Sequence, residues 1–155
     1  MEHKQTSHRV DGSQSAEHRR EFEASAAAVQ AAHTDPALFA QWMGPAGTTV
    51  DLEHFDATTG GSYRYAVRAG EHGAWAFRGS YHEVAPGRIV HTWEYLDEPG
   101  VTLEILTFTD LPGGRSALEI RSTYTSEEAL AALVASGMDT GMDENFERLD
   151  ALLAR

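Results

Sequence analysis

The strongest periodic pattern in the chain lies at its C-terminal end. Apolar residues recur as Leu130, Leu133, Val134, Met138, Met142, Phe146, Leu149, Leu152 and Leu153. A spacing of three to four residues, held for more than six turns, marks one face of an α-helix. Ser126 stands at the N-cap position, and Glu127 and Glu128 suit the positive end of the helix dipole. The pattern predicts a single amphipathic helix of about 28 residues. Such a helix needs a broad apolar surface to lie on, and this demand constrains everything upstream. Gly137 and Gly141 sit beside the stripe, and each costs about 1 kcal/mol against alanine in a helix interior. They predict close packing of helix on sheet; the alternative is room for a ligand or a point of bending.

Upstream, strand-like segments alternate with turn residues. The segments are Thr48–Phe55, Ser62–Arg68, Ala74–Val84, Arg88–Leu96, Val101–Leu111 and Arg115–Tyr124. Between them stand Thr59-Gly60-Gly61, the stretch 70–73, Pro86-Gly87, Glu98-Pro99-Gly100 and Pro112-Gly113-Gly114. This rhythm predicts an antiparallel meander in which sequential strands pair. Before it come a short strand anchored by Phe22, a helix from Ala26 to His33 capped by Ser25, and a second helix started by Thr34-Asp35-Pro36. Gly44-Pro45 stops that second helix. Residues 1–18 are polar and predict a flexible tail, with His3 and His8 in it; residues 19–155 predict one domain. The whole reads as an α+β fold of six or seven antiparallel strands curled around a long helix.

Composition narrows the function classes. The 155 residues carry a formal charge of −12, which argues against nucleic acid and anionic membrane surfaces. The absence of cysteine removes disulfides, thiolate metal sites and cysteine nucleophiles. There is no run of about 18 apolar residues and no apolar leader at the N-terminus, so a cytoplasmic protein with no membrane contact is expected. No phosphate loop, dinucleotide fingerprint or nucleophile elbow occurs. Neither a cofactor nor a metal is expected, and a homodimer is compatible with the sequence.

Several motifs are recognisable together. They are Arg20-Glu21-Phe22, the run from Thr34-Asp35-Pro36 to Trp42-Met43-Gly44-Pro45, and Gly60-Gly61-Ser62-Tyr63-Arg64-Tyr65. Phe77-Arg78-Gly79-Ser80-Tyr81-His82-Glu83-Val84 follows, then Thr92-Trp93-Glu94, Ser136-Gly137-Met138 and Phe146-Glu147-Arg148-Leu149-Asp150. Over about residues 19–154 the chain resembles the SRPBCC (START / birch-pollen-allergen-like) superfamily with its helix-grip fold. Within it, the chain looks like the bacterial branch named after the activator of the heat-shock-protein-90 ATPase. The resemblance implies a cavity between the concave face of the sheet and the long helix, used in the superfamily for apolar or aromatic molecules. It implies no shared catalytic motif.

Strand alternation supplies the lining of such a cavity. Tyr63 and Tyr65 share one face, as do Phe77 and Tyr81 on the next strand, and Trp93 and Phe108 follow beyond. Trp42 comes from the short helix, and Met138, Met142 and Phe146 come from the long one. Glu104 and Glu94 lie inside central strands; an inward one needs a partner such as Arg78 or a tyrosine hydroxyl. Trp42, Tyr63, Tyr65, Phe77, Tyr81, Trp93, Glu104, Phe108, Met138, Met142 and Phe146 are therefore the candidate ligand-binding residues, with no catalytic residue assigned. With a hairpin tip at Pro86-Gly87, His82 should oppose His91 on the outer face, too few ligands for zinc. The first reading is a module that binds a hydrophobic or aromatic small molecule. The alternatives are a cyclase, dehydratase or hydrolase that uses the same cavity, and a chaperone-modulating or regulatory interaction module.

Overall fold

The computed structural model describes residues 6–12, 14–98 and 100–154. One antiparallel sheet of eight strands forms the body of the molecule. Its strands are β1 (Thr6–Asp11), β2 (Ser15–Phe22), β3 (Thr49–Phe55), β4 (Ser62–Arg68), β5 (Ala74–Ala85), β6 (Arg88–Tyr95), β7 (Thr102–Leu111) and β8 (Arg115–Thr123). Helices α1 (Ala26–Thr34) and α2 (Pro36–Trp42) follow β2, and α3 (Glu127–Ala135) and α4 (Met138–Leu153) end the chain. Across the sheet the order is β1-β2-β8-β7-β6-β5-β4-β3, so the meander from β3 to β8 is continuous and the N-terminal hairpin joins it on β8. The Gly- and Pro-rich breaks fall between strands as the sequence predicts, and strand ends agree within a residue. Ser25 and Asp35 cap α1 and α2 by accepting hydrogen bonds from Ala28 N and Ala37 N. No helix among the described residues is long and apolar enough to cross a membrane.

Two sequence expectations are corrected. The first concerns the N-terminus, expected to be a tail through residue 18. Thr6–Asp11 and Ser15–Phe22 instead form a hairpin, and Ser15, Ala16, His18 and Arg20 are buried. Apolar content gave no sign of this because other contacts hold the segment. Residues Ser15–Phe22 pair with Ser116–Thr123 of β8 along their whole length, which satisfies the backbone without a hydrophobic run. His3 lies outside the described residues.

The second correction concerns the long helix. It is two helices, α3 and α4, separated at Ser136-Gly137. Gly137 has φ of +91°, a left-handed conformation that only glycine adopts at low cost, and it ends the first helix while opening the second. The apolar period runs through the break because both helices turn their apolar sides inward. Leu130 of α3 packs in a small cluster with Ala16 and Tyr124, whereas Phe146 and Leu149 of α4 join the main core.

Arg20 fixes α4 to the sheet. It is 3% exposed and donates to Asp150 at 2.6 Å and to Glu147 at 3.2 Å. Its guanidinium also lies over the Phe22 ring, 5.5 Å from the centroid. A second clamp joins α1 to the β5–β6 tip, where Gln30 donates to Ala85 O and accepts from Gly87 N. Breaking a buried ion pair from one side leaves an uncompensated charge. Asp150→Ala should therefore lower the unfolding free energy by about 3–5 kcal/mol, and the double change Arg20→Met with Asp150→Leu by much less. Urea unfolding of the two variants checks this.

Candidate functional site

Alternation along three adjacent strands turns aromatic rings to the concave face. Tyr63 and Tyr65 of β4, Trp75, Phe77 and Tyr81 of β5 and Trp93 of β6 stand on that side. Phe77 stacks on Tyr65 at 5.1 Å and on Trp93 at 5.3 Å, and Tyr63 lies 5.3 Å from Tyr81. The wall has no β5 side chain at Gly79. A Cβ there would meet Thr92 O at 2.0 Å and the Tyr63 ring at 2.6 Å, so the glycine is what lets the tyrosine lie flat across the sheet. Helix α2 adds Phe39 and Trp42, and the indole of Trp42 is fixed by a hydrogen bond to Ala32 O at 2.9 Å.

Between this wall and α4 lies a cavity of about 440 Å³. Ten of the eleven candidate residues line it: Trp42, Tyr63, Tyr65, Phe77, Tyr81, Trp93, Glu104, Met138, Met142 and Phe146. Phe108 does not. It is 5% exposed and packs under α1, edge-on to the His33 ring at 5.3 Å, so the helix covers what alternation alone leaves open. Gly141 also faces the cavity, and a Cβ built on it meets nothing within 4 Å.

Polar groups gather at one end. Glu104 faces inward, 3.2 Å from His91 Nε2, and accepts a hydrogen bond from Ser122 Oγ at 3.1 Å. His91 Nδ1 donates to Thr92 O at 2.9 Å, so the Nε2–carboxylate contact requires a proton between the two groups. Tyr63 donates to the same carbonyl at 2.7 Å. Burial pushes the Glu104 carboxyl up, but the His91 and Ser122 hydrogen bonds and nearby His18 outweigh it and hold the carboxyl below its usual range. Burial lowers the His18 pKa, as does the adjacent His8 ring. Burial also pushes the Tyr124 hydroxyl up to about 12 and those of Tyr63, Tyr65 and Tyr81 well up. Glu94 points outward and pairs with Arg78 at 2.8 Å, so Arg78 is not Glu104's partner.

The sequence reading missed His18, His33, His91, Thr102, Ser122 and Tyr124 as lining residues. His91 was placed on the outer face opposite His82. In the structure Ala85 pairs with Arg88 and Glu83 with Val90, but a bulge at His82 then shifts the register and sets Tyr81 opposite His91. Strand alternation from Trp93 carries His91 to the inner face, and that pattern was present in the sequence.

A sheet wrapped over a C-terminal helix, with two short helices closing one end of an internal cavity, defines a helix-grip protein of the SRPBCC type. The description "Activator of Hsp90 ATPase homolog 1-like protein" matches residues 23–154, and the chain belongs to that family. A solved structure from Rhodobacter sphaeroides is 30% identical, covers 97% of this chain and 99% of its own, and superposes with a TM-score of 0.90. One from Arthrobacter aurescens is 27% identical over 96% of this chain and 91% of its own, with a TM-score of 0.86. The AHSA1 protein of Silicibacter pomeroyi shares the fold at 22% identity, over 90% of this chain and 97% of its own, with a TM-score of 0.73. No curated protein matched the chain.

His33 gives the site a pH signature. Burial pushes its imidazole down to about 4, against the opposing hydrogen bond to Val29 O. The unfolded chain binds this proton from about pH 6.5 downward and the folded chain does not, so stability falls as pH drops from about 6.5 toward 4. The loss should be on the order of 2 kcal/mol. Comparison of urea unfolding at pH 7 and pH 4.5 for wild type and His33→Gln isolates it, since the variant should lose that part of the slope.

Proposed function

We propose that the chain binds an apolar, ring-bearing small molecule in the cavity, with Glu104 and His91 engaging a polar group at one end. The observation that carries this reading is the polarity gradient of the cavity. Its volume of about 440 Å³ falls within the range of small-molecule sites, commonly about 300–1,000 Å³. Trp42, Tyr65, Phe77, Trp93, Met142 and Phe146 offer flat or adaptable apolar surface, while His91, Ser122 and His18 gather around Glu104. Aromatic walls contribute affinity, and a few fixed polar groups contribute orientation.

Native mass spectrometry of the protein purified from its own host should show a retained small molecule. Gly141→Leu should keep the fold, because open space surrounds the position and glycine is a poor helix former, yet bind that molecule at least about tenfold more weakly. Retention of the ligand by well-folded Gly141→Leu places the binding surface elsewhere. Glu104→Gln should weaken a ligand with a donor-rich head by about tenfold through loss of a charged hydrogen bond.

One observation favours a second reading. The contact between His91 Nε2 and the Glu104 carboxylate, beside the Tyr63 hydroxyl, is an arrangement that an acid–base enzyme of the cyclase, dehydratase or hydrolase type could use. The captured molecule decides between the two. Binding alone leaves its mass and isomeric form unchanged on incubation, whereas catalysis converts it and Glu104→Gln stops the conversion.

A further inference from the structure

A second cluster lies outside the aromatic cavity, where the N-terminal hairpin meets the start of α4. His8 of β1 and His18 of β2 are cross-strand partners, and their Nδ1 atoms lie 2.7 Å apart. Asp139 and Asp143 stand one turn apart on α4 and face them. The Asp139 Oδ1 atom is 3.7 Å from His8 Nδ1, is shielded from solvent and takes part in no hydrogen bond. One nitrogen from each histidine and one oxygen from Asp139 lie within 4.8 Å of one another.

Hydrogen bonding fixes the chemistry of His8. Its Nε2 contacts Asp143 Oδ1 at 2.9 Å, a contact that places the proton on Nε2 and leaves Nδ1 as a bare lone pair. This is the way a carboxylate orients a metal-binding imidazole from behind. His18 is 4% exposed, and its Nε2 makes no hydrogen bond. If His18 Nδ1 carries the proton toward His8, a lone pair is buried without a donor on the far side. With a cation between the rings, both Nδ1 lone pairs and the orphaned Asp139 oxygen are used, and the His18 proton sits on Nε2.

We propose that His8, His18 and Asp139 form a binding site for a divalent transition-metal ion of the zinc class, with Asp143 orienting His8. Two imidazoles and one carboxylate suit such an ion and leave a fourth position for water or another ligand. Bonds of about 2.0–2.1 Å in tetrahedral array set ligand atoms roughly 3.3 Å apart. The His8–His18 and His8–Asp139 separations of 2.7 and 3.7 Å lie on either side of that value, and all three ligand atoms lie within 4.8 Å of one another. The ion would join β1, β2 and the first turn of α4, next to the helix break at Gly137. His18 and Met138 line the aromatic cavity, so the site abuts its edge. The inference stands whether or not that cavity holds a small molecule.

The test is a zinc titration, by calorimetry, of the full chain prepared without a polyhistidine tag and stripped with a chelator. One equivalent should bind with micromolar or tighter affinity and raise the Tm. His8→Ala and Asp139→Asn should each weaken binding at least tenfold, and Asp143→Asn by about 10–100-fold. His54→Ala, on the opposite edge strand, should bind like wild type. Circular dichroism reports whether each variant folds. Asp143 keeps 47% side-chain exposure, so Asp143→Asn tests the site even if a buried-ligand variant does not fold. Absence of zinc uptake by the wild type, or unchanged affinity in folded Asp139→Asn and Asp143→Asn, would overturn the proposal.

Discussion

Arg20 carries a positive charge into the seam between the sheet and the C-terminal helix, and the geometry of the molecule depends on that charge being met there. Asp150 and Glu147 meet it from the last turns of α4. The buried residues of α4, namely Phe146, Leu149 and Asp150, all belong to this C-terminal half. In the N-terminal half, Met138, Gly141 and Met142 line the cavity. The helix is thus pinned to the sheet by a buried ion pair at one end and borders the cavity at the other. Gly137 makes the second condition possible, since its left-handed backbone lets α3 leave in a new direction and pack Leu130 on Ala16 and Tyr124. A continuous helix would have had one axis, and could not follow both surfaces.

This division explains which parts of the structure could be read from the sequence. The meander was legible because its turns are chemically marked: Gly-Gly, Pro-Gly and Pro-Gly-Gly runs separate segments of strand composition. The helix break was legible only as an alternative: Gly137 and Gly141 read as a local cost with close packing, or as room for a ligand or a point of bending, while the left-handed geometry of Gly137 comes from what the flanking helices pack on. The N-terminal hairpin was illegible for a related reason. Its burial rests on pairing with β8 and on Arg20 meeting Asp150, contacts between residues 94 to 130 positions apart. Local composition does not report such contacts.

The cavity divides in the same way. Alternation found Tyr63, Tyr65, Phe77, Tyr81 and Trp93, because each sits in an unbroken run of period two. It misplaced His91 by trusting a hairpin register that the bulge at His82 interrupts. It kept Phe108 on the inner face, correctly, but could not see that α1 brings His33 over that ring. Ser122 and Thr102 escaped notice because a small hydroxyl on an inward strand position carries no hydrophobic mark. Its role becomes visible only when the carboxylate it serves is in place.

The electrostatics of the polar end constrain what can approach it. An ionised carboxylate in an apolar chamber is costly unless it is hydrogen-bonded, and Glu104 has His91 and Ser122 for that purpose. Apolar residues of similar volume would fill the same space at less cost, so the network is better explained by orientation than by stability. Burial and the His8 ring lower the His18 pKa, and three carboxylates, Asp139, Glu104 and Asp143, act against them by favouring its protonated form. Negative charge therefore dominates the junction of β2, β7 and the start of α4. An anionic head group is disfavoured there, and a cation or a donor-rich group is favoured. The proposed metal site and the polar end of the cavity follow from the same local excess of carboxylate over fixed positive charge, with His18 as the residue common to both.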